Sequence, residues 1–236
     1  MKKLALTDFA KYRYPSALEL SPDGRYLAFS LKEVDSEGDG YRWNLWLYDL
    51  ENRECRQITR GDSQRKAVWE DNTHILYKTT ELDEALQARG FEEEWSVYHR
   101  LNVCTGEESE AFRLPMSVSG LWRMDEGRYV FTGETHLDRP NLLELTGQAL
   151  EKELVRRQQT KGYKVLTELP LCENGVGMFN QTRNTLFLYL AATGEYRRIT
   201  PEEYDVNHVN ARPGQVLFTA FPFRDVKPVT EGMYRW

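Results

Sequence analysis

Ser21-Pro22-Asp23-Gly24-Arg25-Tyr26-Leu27-Ala28-Phe29-Ser30 is a tight turn feeding directly into a strand. Proline presets φ at the second turn position, and aspartate and glycine suit the later ones. In the strand that follows, Tyr26, Ala28 and Ser30 share one face, with Leu27, Phe29 and Leu31 on the other. Both faces are largely apolar, which is expected where a sheet is covered on both sides. Moving outward, Leu45-Trp46-Leu47-Tyr48-Asp49-Leu50 reads as a further strand, and Arg56-Gln57-Ile58-Thr59 closes the unit. That closing half returns near the other end of the chain: residues 186–200 laid over residues 45–59 match at seven of fifteen positions. The matches are both leucines, the tyrosine, and then Glu, Arg, Ile and Thr.

Turn and strand repeated at this period is the signature of radially arranged blades. Candidate second strands recur around Ala28, Tyr77, Val130 and Leu217. The expected fold is all-β: a partial β-propeller of four-stranded antiparallel blades, about three blades and part of a fourth. The approximate units are 15–60, 66–115, 117–200 and an incomplete 203–236, in which only two strands are expected before the third would begin near Met233. Two stretches interrupt the pattern. Leu82, Ala85 and Leu86 have helical spacing and Gly90 would end a short helix. Residues 147–161 read as an inserted amphipathic helix, with Ala149, Leu150, Leu154 and Val155 on one side. A short lead-in helix is expected at Thr7-Asp8-Phe9, capped by Thr7 or Asp8.

Composition narrows the functional classes. Hydrophobic residues make up 40% and charged residues 29%, the balance of a folded domain rather than a disordered chain. The net charge of −6 comes without a basic block, which argues against nucleic acid as a partner. Cys55, Cys104 and Cys172 are an odd, widely spaced set, so neither a disulfide framework nor a zinc knuckle is supported. His74, His99, His136 and His208 are scattered, each in or beside a strand, and read as packed histidines rather than metal ligands. No metal and no cofactor is expected. The start of the chain lacks the apolar stretch of a signal peptide, and the longest apolar run falls far short of the ~20 residues of a membrane span. The expected setting is cytoplasmic, with no membrane partner.

More specific is the order Tyr163-Lys164-Val165-Leu166-Thr167-Glu168-Leu169-Pro170, then Asn174-Gly175-Val176-Gly177-Met178-Phe179, then the strand from Arg183 to Tyr189. Together with the Ser-Pro-Asp-Gly and Arg-Gln-Ile-Thr elements, this order is similar to the amino-terminal propeller of bacterial prolyl-oligopeptidase-type serine peptidases, in the acylaminoacyl-peptidase and dipeptidyl-aminopeptidase branch. The resemblance spans nearly the whole chain but only the first half of the family. It implies a cytoplasmic peptidase in which the propeller caps an α/β-hydrolase domain and restricts entry to short peptides. That hydrolase domain would be the principal partner. Nothing in this chain matches it.

The chemistry agrees with that division. A serine hydrolase needs a G-x-S-x-G nucleophile elbow. No such pentapeptide occurs; Ser117-Val118-Ser119-Gly120 is nearest and lacks the leading glycine. No His-Gly-Gly oxyanion segment occurs either, so the chain is expected to be non-catalytic by itself, with no catalytic residues. Glu92-Glu93-Glu94-Trp95 admits two readings. Dipeptidyl peptidases hold a substrate's amino terminus with paired glutamates, but the same run is what a solvated connector looks like, and that is the favoured reading. For substrate contact the candidates are Glu168, Asn174, Gly175 and Gly177: the glycines permit unusual backbone shapes, Asn174 can bond a peptide backbone, and the resemblance turns this segment toward the active-site chamber. The competing reading is a demanding turn re-entering the sheet. At the level of the whole protein, the alternative is a stand-alone TolB-like propeller serving as a protein-binding scaffold. An unfinished blade exposes unpaired strand edges, so the sequence is expected to be a piece of a larger chain or else to self-associate through its open blade edges.

Overall fold

A computed structural model describes residues 5–35, 38, 40–163, 165–170, 172–173, 177–178 and 180–236. The first sheet contains β1 (Arg13–Leu20), β2 (Tyr26–Asp35), β3 (Gly40–Asp49) and β4 (Glu54–Gln57), hydrogen-bonded in that order. The second contains β5 (Ala67–Trp69), β6 (His74–Leu82), β7 (Glu94–Asn102) and β8 (Glu108–Leu114), again in chain order, with the four-residue helix α1 (Glu84–Gln87) between β6 and β7. The third is built from β9 (Val118–Asp125), β10 (Arg128–His136), and, after the insert, β13 (Thr182–Leu190) and β14 (Glu195–Arg198). The insert carries helix α2 (Gly147–Thr160) and a two-stranded ribbon, β11 (Cys172–Glu173) and β12 (Gly177–Met178). The fourth sheet is β15 (Tyr204–Arg212), β16 (Gln215–Pro222) and β17 (Gly232–Arg235).

Among the described residues the chain is thus three four-stranded antiparallel blades and a three-stranded one, a partial β-propeller with an inserted helix. The fourth blade has one strand more than the two expected, because Gly232–Arg235 pairs with Leu217–Ala220. The chain divides into two compact units, residues 1–80 with 97–113, and residues 81–96 with 114–236.

In the first unit, Ala28, Leu45 and Leu47 meet Ala67, Ile75 and Tyr77 in a dry layer between two blades. Trp69 stacks on Tyr26 with ring centres 6.5 Å apart and donates its indole N–H to the Glu19 carbonyl at 3.0 Å. In the second unit the equivalent layer joins Val130, Leu186 and Leu188 to Val206, Val216 and Phe218.

The repeated Ile-Thr ending has one structural job in both places. Ile58 N–H donates to the Leu45 carbonyl at 2.8 Å, while Thr59 Oγ1 accepts from Leu45 N–H at 2.8 Å. Ile199 and Thr200 repeat the pair on Leu186, at 2.8 and 3.3 Å. The threonine hydroxyl therefore stands in for a missing ladder partner where the outer strand leaves its neighbour. Replacing Thr59 by valine keeps the shape and removes that acceptor, leaving the buried Leu45 N–H unsatisfied, which costs about 1–3 kcal/mol. The bond at Thr200 is longer, so Thr200→Val is expected to cost less. Urea denaturation of the two variants checks both; a Thr59→Val midpoint unchanged from the parent contradicts the assignment.

Two local expectations are corrected. The lead-in element is a 3-10 helix, Leu6–Lys11, with Ala5 at the N-cap; Asp8 lies inside the first turn and caps it by accepting from the Ala5 N–H at 2.8 Å. On α2, Leu150 and Leu154 pack inward, but Val155 is 55% exposed. The buried stripe is instead completed by Glu153 and Arg157, which pair with each other at 3.0 Å. A purely apolar reading of the helix therefore rotates its inner face by one position.

Candidate functional site

The two interruptions of the blade pattern come together in the second unit. Asp83 caps α1 by accepting from Leu86 N–H at 3.0 Å, receives the Trp95 indole N–H at 3.2 Å, and donates its own backbone N–H to the Glu93 carbonyl at 2.9 Å. Those bonds fix the 92–95 run at the mouth of β7. Leu86 and Phe91 then pack with Leu142, Leu150 and Leu154. Arg89 makes a paired bond to Glu151 at 2.7 and 2.8 Å. Arg157 reaches from α2 to Glu93 at 2.6 Å and to the Pro140 carbonyl at 2.6 Å.

These contacts frame a cavity of about 570 Å³, within the usual size of a small-ligand site. Its charged lining comes from Glu92, Glu93 and Glu94, from Glu134 and His136 of β10, from Arg139, Glu144 and Arg157, and from Arg198 of β14; Met116, Leu143 and Phe187 supply apolar wall. Several of these charges are already neutralised. Glu93 holds Arg157, and Glu144 accepts the Tyr196 hydroxyl. Burial and that carboxylate together push the Tyr196 phenol up. Arg139 donates to His136 Nε2 at 3.0 Å. The same Nε2 lies 3.5 Å from the Glu134 carboxylate, and Nδ1 faces Thr182 Oγ1 at 3.3 Å.

Among the described residues Glu94 makes no ion pair, and Glu134 has only His136 beside it, with Nε2 3.5 Å from its carboxylate. Glu134 keeps 55% of its side chain in contact with solvent. Loss of water around its carboxyl nevertheless pushes it above the usual range, Arg139 draws it back, and the neighbouring Glu94 adds to the rise. Arg198 makes no hydrogen bond or ion pair among the described residues; its guanidinium lies 5.9 Å from the Phe187 ring centre. The cavity therefore carries carboxylate and guanidinium groups whose charges are not spent on each other.

Of the four candidates for substrate contact, Asn174 and Gly175 lie outside the described residues, and Gly177 begins the short strand β12. Glu168 is 1% exposed, as is its partner Arg183. Arg183 Nη2 donates to Glu168 Oε1 at 2.5 Å and to the Phe223 carbonyl at 3.0 Å. Nη1 donates to Glu168 Oε2 at 3.1 Å and to the Thr182 carbonyl at 2.9 Å, and the guanidinium sits 3.9 Å from the Phe223 ring centre. Gln181 N–H completes the Glu168 carboxylate at 2.7 Å. Next door, Leu169 N–H donates to the Asp225 carbonyl at 2.8 Å, and Lys227 N–H donates to the Leu169 carbonyl at 2.9 Å. Glu168 thus fastens the returning segment to the loop after β16.

The Glu92–Glu94 run, favoured in the sequence as a solvated connector, lies on the cavity. Glu134, Arg139, Glu144, Arg157 and Arg198 are brought there by strand register and by the inserted helix, and no spacing in the sequence announced them. Among the described residues no three His, Cys, Asp or Glu side chains gather as a metal-binding set, and no helix is long and apolar enough to cross a membrane.

No protein-family model matches this sequence, and no curated protein matches it. Solved structures do. The acylaminoacyl peptidase of Pyrococcus horikoshii aligns with a TM-score of 0.63 at 12% identity, covering 97% of this chain and 31% of its own. An acylaminoacyl peptidase in complex with Z-Gly-Gly-Phe-chloromethyl ketone aligns with a TM-score of 0.65 at 11% identity, covering 98% of this chain and 32% of its own. The chain spans about one third of the length of these peptidases, and what it shares with that third is the propeller fold.

Proposed function

We propose that this chain is the substrate-gating propeller portion of a serine peptidase of the prolyl oligopeptidase type acting on short peptides, with an α/β-hydrolase domain as its partner and no catalytic residue of its own. The observation that carries the reading is the fold likeness to acylaminoacyl peptidases over nearly the whole chain. It is joined by a cavity sized for a small ligand and lined by several carboxylates. On this reading the peptide enters the second-unit cavity with its amino terminus against Glu94 and Glu134, where an ammonium receives charge-assisted hydrogen bonds. The segment that carries Asn174, Gly175 and Gly177 is proposed to supply further substrate contacts. Glu168 serves it as an anchor, because its carboxylate is already filled by Arg183 and Gln181 N–H.

The isolated chain should not hydrolyse aminoacyl or acylaminoacyl chromogenic substrates, but it should bind trialanine, with chemical-shift changes centred on Glu94, Ser117 and residues 134–136. Glu134→Gln should weaken that binding about tenfold, the value of one charge-assisted contact. Only the ionised carboxylate attracts the ammonium. Affinity is therefore full above the raised pKa of Glu134 and falls as pH drops through it, at a higher pH than an ordinary glutamate would give. Turnover by the chain alone would overturn the division of labour. Absence of any peptide binding would overturn the gating role and leave the alternative of a stand-alone TolB-like scaffold that binds proteins.

A further inference from the structure

We propose that His74 is an acid-sensitive latch between two turns of the second blade: the neutral ring holds Asn102 against the β7–β8 turn, and a second ring proton releases that hold. The latch lies in the first unit and is independent of what the second-unit cavity receives.

Groups of fixed polarity determine the state of the ring. The Asn102 side-chain oxygen accepts from the backbone N–H groups of Cys104 at 2.9 Å and Thr105 at 3.0 Å. A backbone N–H can only donate, so the other end of this side chain is its NH2 group, and it meets His74 Nε2 at 3.1 Å. Nε2 therefore accepts. The ring proton sits on Nδ1, 2.9 Å from Asp71 Oδ2. Asp71 is itself held in place, accepting from the Thr73 and His74 N–H groups at 2.7 Å each. On the Nε2 side, only the neutral ring satisfies what faces it.

A second proton has to go to Nε2, where it would point at the Asn102 NH2 group. Turning the amide over does not help, because its NH2 would then face the Cys104 and Thr105 N–H groups. Asn102 must swing away, and the two turn amides lose their acceptor with it. Asp71 acts the opposite way on the other nitrogen. Against the opposing effect of burial, hydrogen bonds from Thr73 and His74 hold its carboxyl at about 2. It stays charged where an imidazole ordinarily titrates, and keeps hold of the protonated ring.

The other ionisable groups around the two turns are engaged elsewhere. Glu70, whose N–H bonds the His74 carbonyl at 2.9 Å, receives Arg100 at 2.8 Å. Glu107 accepts the Thr105 hydroxyl at 3.3 Å, and the Cys104 thiol lies 3.8 Å from the Tyr26 hydroxyl. The turn that is released is also a junction. Val103 N–H donates to the Thr73 carbonyl at 2.7 Å, and the Val103 carbonyl accepts from Arg56 of the first blade. Asn102, Val103 and Arg56 line one cavity of about 580 Å³. Acid release therefore loosens the seam where the first two blades meet.

NMR on the full chain tests this. At about pH 8 the nitrogen-15 spectrum of His74 should show the proton on Nδ1 and the lone pair on Nε2. Between about pH 8 and about pH 5 the hydrogen-exchange protection of the Cys104 and Thr105 amides should fall about tenfold. The Thr73 and His74 amides, bonded to Asp71, and the Gly24 amide in the first blade should keep theirs. His74→Gln puts a neutral side chain in the same place and takes up no proton, so protection at Cys104 and Thr105 should be equal at both pH values. A proton on Nε2 at the higher pH, protection that does not change in the parent, or the same fall in His74→Gln overturns the latch. The first two readings need no variant, so they decide the matter even where His74→Gln does not fold.

Discussion

Replacing Arg183 by methionine is expected to destabilise the second unit by about 3–5 kcal/mol, the penalty for removing one partner of a buried ion pair. Methionine fills much of the same volume, so the loss is electrostatic and not a cavity. Glu168, 1% exposed, would be left with the Gln181 N–H as its remaining donor, and the Phe223 and Thr182 carbonyls would lose theirs. The double replacement Glu168→Leu with Arg183→Met removes the stranded charge. It should recover part of the loss, and the orphaned backbone groups keep the recovery incomplete. Urea denaturation followed by tryptophan fluorescence gives the ordering: parent, then double variant, then Arg183→Met. Hydrogen exchange gives the location, since the Leu169 and Lys227 amides belong to the same fastening and should lose protection first. A double variant no more stable than Arg183→Met would mean that the stranded charge is not the source of the loss. The pair is not optimised for its own sake: Arg183 Nε is buried without a hydrogen bond. What it secures is one geometry for a returning segment whose Tyr163, Val165 and Leu169 stay exposed and so do not anchor it by burial, the specificity role that buried ion pairs can serve.

That pair also shows where sequence reading reaches its end. The blades were legible because each turn residue and each alternating face states its role locally: Pro22 and Gly24 mark a turn, Ala28 and Leu47 mark an inner face, and Ile58-Thr59 recurs as Ile199-Thr200. The fourth blade's last strand was harder, since four residues carry too little periodicity to separate a strand from a loop, and only pairing with β16 makes Gly232–Arg235 one. Glu168 stood out by its motif, but its partner lies fifteen residues away and the loop that both secure lies forty residues beyond Arg183. The cavity was the least legible of all. Glu92–Glu94 and Arg198 are more than a hundred residues apart, and their meeting depends on two insertions that each look like a departure from the repeat. Charge on an insert reads as solvation until another insert is placed against it. On α2 the same blindness made Val155 an inward residue, when the ion pair of Glu153 and Arg157 occupies that face.

Phe131→Ala should produce a loss of similar size by a different route, about 3–5 kcal/mol for an emptied aromatic site. Phe131 is 0% exposed at the centre of β10. Its ring stacks on Phe187 at 5.0 Å and takes the edge of Tyr196 at 5.9 Å, and Phe187 and Tyr196 meet at 5.7 Å, a closed triangle that adds to the burial term. The surroundings are already tight. A Cβ placed on Gly133 would lie 2.5 Å from Met116 Sδ and 3.5 Å from the Phe131 ring, so glycine there lets the Met116 side chain lie where it does. Neighbours locked this closely relax little into a void, which favours the upper part of the range. Phe131→Leu, which keeps most of the volume, should cost about 1–1.5 kcal/mol. The functional consequence follows from the same contacts. Phe187 is both the support lost in Phe131→Ala and a wall of the cavity next to Arg198, so trialanine affinity should fall in Phe131→Ala even at temperatures where the variant remains folded. Denaturation of the two variants and peptide titration of the folded Phe131→Ala protein separate the effects. A stability loss below about 1.5 kcal/mol for the alanine variant would show that the triangle is loosely packed; a full stability loss with unchanged peptide affinity would detach the cavity wall from the core behind it.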